Sequence, residues 1–172
     1  MLIFVFGKMG AGKTYVAGQL AAHLNYLHYK GDNALTPSQL RWGFFSKNQV
    51  ESYIKKQLIP QIELLLKTNN PDIVICQALY FEEHRAMITE YFKSIGEQSI
   101  FLNVVTSRKQ QENQLYARSV VWYLYGKFNN FFFEPSPTAD KIYNIPEVEL
   151  ISQFTKFVSK HKGKIVEVTP IL

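Results

Sequence analysis

A chain of 172 residues, 47% hydrophobic and 19% charged, has the size and composition of an ordinary globular domain, long enough to bury roughly 70% of the surface its unfolded form exposes. No apolar stretch approaches the roughly 20 residues that span a membrane, the opening apolar run is too short for a signal peptide, and the lone cysteine excludes an internal disulfide and fits a reducing compartment; one domain working in the cytoplasm, away from membranes, is expected. The net charge of +5, with a pI near 9.2, comes from dispersed lysines such as Lys55-Lys56 and Lys160 to Lys164, without a basic block interleaved with aromatics, so nucleic acid is not an expected partner.

Leu2 to Phe6 is an apolar run of strand length, and Gly7-Lys8-Met9-Gly10-Ala11-Gly12-Lys13-Thr14 follows it. The octet fits Gly-x-x-x-x-Gly-Lys-[Ser/Thr], and Thr14 to Leu24 continues it as an amphipathic helix. Strand, glycine loop and helix in that order let backbone N–H groups turn inward round a phosphate at a helix N-terminus. In this setting Lys13 reaches the β- and γ-phosphates of a nucleotide and Thr14 ligates Mg²⁺. Gly7, Lys8, Met9, Gly10, Ala11, Gly12, Lys13 and Thr14 are therefore the expected nucleotide-binding residues.

Tyr26 to Tyr29 reads as a second strand, after which Lys30-Gly31-Asp32-Asn33 must turn. Ligands of open α/β sheets bind outside the carboxyl ends of strands, which brings Asp32 to the crevice of the phosphate loop; turn chemistry alone also accounts for Gly-Asp-Asn. Thr36-Pro37 opens a short helix through Trp42, and Asn48 with Glu51 three residues on is a capping-box start for a longer one. Val50, Tyr53, Ile54, Leu58, Ile62, Leu65 and Leu66 recur there at helical spacing, and Pro60 should kink or split the helix. Between the helices, Arg41, Trp42, Phe44, Phe45 and Lys47 either line a substrate pocket or form packing and solvated rim.

Asn69-Asn70-Pro71 turns the chain into Ile73 to Cys76, a continuous apolar run of the kind a central parallel strand shows when both its faces are covered. Its exit, Cys76-Gln77-Ala78-Leu79, lacks the aspartate that many P-loop ATPases place there for Mg²⁺, and Cys76 reads as a buried small hydrophobe. Glu82 to Phe92 is a charged amphipathic helix on which Arg85 either points into the crevice or pairs with Glu82. Ile100 to Val105 is a fourth strand, and Ser107 with Gln110 caps a helix running to about Tyr125, bracketed by Arg108, Arg118 and Lys127.

Trp122 to Phe133 is dense in aromatics around Gly126, Asn129 and Asn130, which is unusual for an exposed loop. The stretch is either a satellite core or a lid and partner surface, with a homodimer through it as one option. Trp122, Tyr123 and Tyr125 are expected to pack onto the domain or a second subunit, leaving any mobile part between about Gly126 and Pro137. Asp140 to Tyr143 reads as a fifth strand ending at Asn144, Pro146 opens a last helix over Glu147 to Lys160, and Lys164 to Val168 alternates as a half-exposed final strand. Strands alternating with helices imply a three-layer α/β/α fold with a mostly parallel central sheet of about five strands.

These residues resemble the small P-loop kinases, and among them the gluconate and shikimate kinase branch and related uncharacterised ATPases or kinases. The resemblance covers most of the chain. It is carried by the loop at Gly7 to Thr14, Gly31-Asp32 after the second strand, Cys76-x-Ala78-Leu79 with Arg85 following, Leu115-x-Ala117-Arg118 in a lid-like segment at about residues 107–137, and Asp140-x-Ile142-Tyr143-Asn144 as the late strand beside the adenine. It implies a P-loop NTPase fold, ATP and Mg²⁺ as cofactors, and transfer of the γ-phosphate to an alcohol group of a sugar acid, sugar or nucleoside-like molecule. By the same resemblance Asp32 would orient or deprotonate the acceptor hydroxyl and Arg118 would stabilise charge on the transferring phosphoryl group. Arg41 and Arg85 stand with Asp32 as candidate substrate contacts.

Two departures accompany the match. Gluconate kinases end the second strand in Asp-Gly-Asp, whereas Lys30 holds the first acid position here; their lids carry several arginines, whereas Arg118 alone matches and aromatics replace the basic segment. Two other classes fit the same residues: a nucleotide-binding regulatory or scaffold protein whose aromatic stretch docks a partner, and an end kinase whose nucleic-acid binding would fall steeply with salt.

Overall fold

Leu2–Phe6 forms strand β1 and all five residues are buried, because the strand lies at the middle of a sheet covered on both faces. In the computed structural model, which describes residues 1–43, 46–69, 71–145 and 149–165, this strand joins β2 (Leu27–Lys30), β3 (Ile73–Cys76), β4 (Ser99–Val105) and β5 (Asp140–Tyr143) in one sheet. The spatial order is β2-β3-β1-β4-β5 and all four pairings are parallel. The helices in chain order are α1 (Lys13–Leu24), α2 (Pro37–Trp42), α3 (Lys47–Tyr53), α4 (Ile59–Asn69), α5 (Glu82–Ser94), α6 (Arg108–Tyr116), α7 (Val120–Phe131) and α8 (Leu150–Lys160).

Alternation along β1 divides the core into two layers. Ile3 and Val5 pack with Val16 and Leu20 of α1 and with Phe154 and Phe157 of α8. Leu2, Phe4 and Phe6 pack on the other side with Ile62 and Leu66 of α4 and Ile88 and Phe92 of α5. Phe4 stacks on Phe101 at 5.0 Å between ring centroids and tilts against Phe92 at 6.0 Å. Burying a ring of this kind contributes about 1.5–3 kcal/mol. No helix among the described residues is long and apolar enough to cross a membrane.

Several local signals act where the sequence places them. Thr36 and Gln39 form a reciprocal capping box with Pro37 in the first turn of α2, and Ser107 accepts from the Gln110 amide at the start of α6. Others are displaced. The cap of α3 is Ser46, whose hydroxyl accepts from the Gln49 amide at 3.3 Å, two residues before the Asn48 start expected from the capping pattern. Pro60 does not stop the helix: a π-helical turn over Ile54–Leu58 joins α3 to α4, a wider coil that accommodates the missing amide and the proline ring.

The helix expected from Ser107 to about Tyr125 is two helices. Ser119 interrupts it, and its hydroxyl accepts from the Trp122 amide at 3.1 Å to begin α7. The glycine within α7 is a packing device, since a Cβ at Gly126 would lie 2.7 Å from Leu115 Cδ1 and hold α6 and α7 apart. The last helix begins at Leu150, later than expected; Pro146 and Glu147 lie outside the described residues, as do Phe44 and Phe45. Of the expected final strand, Ile165 makes an isolated bridge with Lys162, and residues 166–168 lie outside the described set.

Candidate active site

The chain leaves β1 through α1 on one face and leaves β3 through α5 on the other, so a crevice opens between the carboxyl ends of these neighbouring strands. The glycine loop follows β1 there, and Gln77 to Phe81 follow β3. Gly12 caps α1 with φ +83, and a Cβ on it would lie 2.1 Å from Asn144 Nδ2, so left-handed backbone and lack of space both exclude a side chain. Asn144 Nδ2 in turn donates to Ala11 O at 2.9 Å. The peptide groups of Met9 are held from two more sides. Its N–H lies 3.0 Å from Tyr80 Oη and 2.8 Å from Asn130 Oδ1, and its carbonyl accepts from Asn130 Nδ2 at 3.1 Å and Gln111 Nε2 at 2.8 Å. Side chains from α6, α7 and the β3 exit thus fix the loop's shape.

Lys13 extends back along the loop, its ammonium donating to Lys8 O at 3.0 Å. Burial lowers its pKa from the ordinary lysine value, Cys76 and Asp32 oppose the shift, and Arg118 adds to it. Thr14 Oγ1 lies 3.5 Å from Cys76 Sγ. Burial raises the Cys76 thiol despite the opposite pull of Lys13, which suits a packing role. The Lys13 shift has a functional sign. Phosphate oxygens restore the stabilisation that burial removes, so nucleotide binding should draw a proton onto Lys13 and weaken as pH rises through its lowered value. Calorimetry of ATP binding at alkaline pH, in buffers of different ionisation enthalpy, is expected to show proton uptake in the wild-type chain and none in Lys13→Met; no uptake in the wild type contradicts this.

Asp32 stands at the carboxyl edge of the sheet because Lys30, two residues before it, is in register with Cys76. It lies in a 3₁₀ turn over Gly31–Ala34, which the buried Tyr53 hydroxyl fixes by donating to Gly31 O at 2.8 Å. A cavity of about 700 Å³ brings together Lys13, Thr14, Asp32, Gln77 and Arg118. Arg41 and Arg85 are not among its lining residues.

Arg85 is 2% exposed and follows the pairing alternative of the sequence. Its Nε and Nη2 donate to Glu82 Oε2 at 2.9 and 2.5 Å, Nη1 to Leu79 O at 2.6 Å and Nη2 to Glu134 O at 2.8 Å, with the guanidinium 4.6 Å from the centre of the Phe6 ring. It ties the β3 exit to the segment after α7. Arg41 is exposed at the end of α2. Gln77, Tyr80, Gln111 and Asn130 were not singled out from sequence as site residues, and Asn144, just after β5, entered only as the end of the strand expected beside the adenine.

The loop suits a nucleotide phosphate: left-handed glycines that a Cβ would obstruct, a lysine drawn into the loop, and a hydroxyl at the first turn of α1. No cluster of three or more His, Cys, Asp or Glu residues among the described ones forms a metal site by itself. A divalent cation here would rest on Thr14 and the phosphates, with Asp32 lining the same cavity.

No family model matches the chain, and neither does any curated protein. Solved structures resemble it along almost its whole length. A sugar kinase from Janibacter sp. HTCC2649 is 11% identical with a TM-score of 0.70, covering 98% of each chain. A gluconokinase from Sinorhizobium meliloti 1021 is 13% identical with a TM-score of 0.65, covering 94% of this chain and 95% of its own. The Mycobacterium tuberculosis APS kinase, solved in complex with AMPPNP and APS, is 18% identical with a TM-score of 0.68, covering 92% and 95%.

Proposed function

Since the chain has the α/β fold of the small P-loop kinases, we propose that it is an ATP-dependent phosphotransferase that moves the γ-phosphate to a hydroxyl of a small molecule. One observation carries the reading: Lys13 and Thr14 of α1, Asp32 of the 3₁₀ turn and Arg118 after α6, drawn from three separate segments, line one cavity at the carboxyl edge of the sheet. The loop amides and Lys13 hold the β- and γ-phosphates. Arg118 stabilises charge on the transferring group, a role worth up to roughly 10³–10⁵ in rate in the best cases. Asp32 takes the proton of the acceptor hydroxyl as its oxygen bonds to the γ-phosphorus; the bond to the β,γ-bridging oxygen breaks and ADP leaves. Mg²⁺, when bound, would neutralise charge shared by the two phosphates, and Thr14 is the residue to hold it. The cytoplasm, where the Cys76 thiol stays reduced, is the proposed place of action.

A second reading, a nucleotide-binding scaffold or homodimer, is favoured by the apolar ridge of α7, where Val121, Leu124, Phe128 and Phe131 are 74%, 61%, 66% and 84% exposed. Measuring ATP consumption with sugar acids, sugars, nucleosides and oligonucleotides separates the two. The phosphotransferase predicts consumption above the acceptor-free rate with one class. ATP binding with no acceptor-dependent consumption favours the scaffold.

A further inference from the structure

The cavity is unequal along its length. At its phosphate end stand Lys13, Thr14, Asp32 and Gln77. Away from that end Leu40 of α2, Val50 of α3, Trp122, Tyr125, Phe128 and Phe132 line it, among polar residues that include Gln39, Ser46 and Asn129. Trp122 and Tyr125 meet edge to face at 5.7 Å, and Tyr125 reaches the backbone of Gly43, so near that a Cβ there would overlap its hydroxyl. Through this contact α7 meets the end of α2. Trp122, Phe128 and Phe132 nevertheless keep 39%, 66% and 45% of their surface exposed, ring area that the chain itself leaves uncovered.

The placing of charge along the walls favours an uncharged acceptor body. Among the described lining residues the cations are Lys13, Lys47 and Arg118. Lys13 belongs to the phosphates, and Arg118 lies near enough to lower the Lys13 pKa further. Lys47 pairs with Glu83 at 2.6 Å and lies 5.0 Å from the centre of the Phe81 ring. A carboxylate in the acceptor body would lie against rings, with Lys13 and Arg118 assigned to the phosphates and Lys47 paired with Glu83. Gln77 supplies the complementary polar group. It is 6% exposed, its Oε1 lacks a hydrogen-bond partner, and it packs against Gly31, next to Asp32. A carboxamide can turn over to offer either its oxygen or its NH₂ to a hydroxyl.

We propose that the acceptor is an uncharged, hydroxyl-bearing molecule with a planar aromatic or heteroaromatic body, its hydroxyl held between Asp32 and Gln77 and its ring against Trp122 and Tyr125. This rests on the phosphotransferase reading above and narrows it from the sugar acids. The cavity volume of about 700 Å³ suits such a molecule beside a γ-phosphate.

The chain has two tryptophans, so a Trp42→Phe background leaves Trp122 as the sole indole reporter. With AMPPNP and Mg²⁺ already bound, titration with adenosine, thymidine and phenylethanediol should change Trp122 fluorescence saturably, and gluconate and glucose should not. With ATP, the best aromatic probe should be phosphorylated at least about tenfold more efficiently than gluconate. Trp122→Ala and Gln77→Leu should each raise its KM about tenfold, the scale of one lost ring or hydrogen-bond contact, with AMPPNP affinity unchanged. Tyr125→Ala replaces Trp122→Ala if circular dichroism shows the latter misfolded. Equal or better transfer to gluconate or glucose overturns the acceptor assignment and leaves the phosphotransferase standing. AMPPNP binding without binding of any aromatic probe also overturns the assignment, and failure to bind AMPPNP overturns the phosphotransferase reading with it.

Discussion

Asp32→Asn is expected to lower turnover by about 10²–10⁴-fold, the range that a positioned acid or base contributes, while nucleotide affinity stays within about twofold of wild type. Asparagine keeps the shape of the side chain and cannot take the proton of the acceptor hydroxyl. The turn that carries residue 32 is fixed by the Tyr53 hydroxyl on Gly31 O and owes nothing to the carboxylate, so the exposed side chain can change without moving its backbone. Steady-state rates on an accepted substrate and calorimetry with ATP and Mg²⁺ measure the two effects separately. Unchanged turnover contradicts the proton-accepting role. Loss of ATP–Mg²⁺ binding would instead assign Asp32 to the metal.

Lys13→Ala is expected to weaken ATP binding by about 10–100-fold, the loss of one or more charge-assisted hydrogen bonds. It should not unfold the chain. In the wild type the ammonium of the half-buried Lys13 is held by one carbonyl, Lys8 O, on an exposed residue that water can serve equally well, and desolvation disfavours the charge. Removing that ammonium relieves a desolvated charge at the cost of one replaceable hydrogen bond, so the melting temperature should hold or rise slightly. Equal ATP affinity in wild type and variant would show that the loop does not bind phosphate through this lysine.

What could be read from the sequence was local chemistry, and what could not was distant. The glycine loop, the helix start at Thr36-Pro37, the Ser107 cap and the Asp140–Tyr143 strand each depend on residues within a few positions of one another, and the structure forms them where expected. The break between α6 and α7 was hidden because helical patterning continues through it, and the Ser119 cap has no acidic or amide partner three residues on to mark it. Arg85 could be placed only once Glu134 O, 49 positions away, was near it. The same holds for Met9, whose carbonyl is bound by groups 102 and 121 positions along the chain.

The aromatic stretch is a mixed case. Tyr123 is half-buried edge-on to Tyr116 at 5.5 Å and Tyr125 is half-buried at Gly43, while Trp122 keeps an open face on the cavity. The free energy of burying such rings pointed to packing for all three, on the domain or on a second subunit. The part expected to hold any mobile residues contains Gly126, packed on Leu115, and Ser136, 4% exposed, so its ends are anchored.

Transfer itself is tested most directly by ATP carrying isotopically labelled oxygen in the γ-phosphate, incubated with the chain, Mg²⁺ and an acceptor that binds. Mass spectrometry should find the labelled phosphoryl group on one hydroxyl of the acceptor, one for each ADP formed, and Asp32→Asn should suppress that product. Label found in inorganic phosphate alone, at a rate the acceptor does not change, would contradict the assignment of this site to phosphoryl transfer.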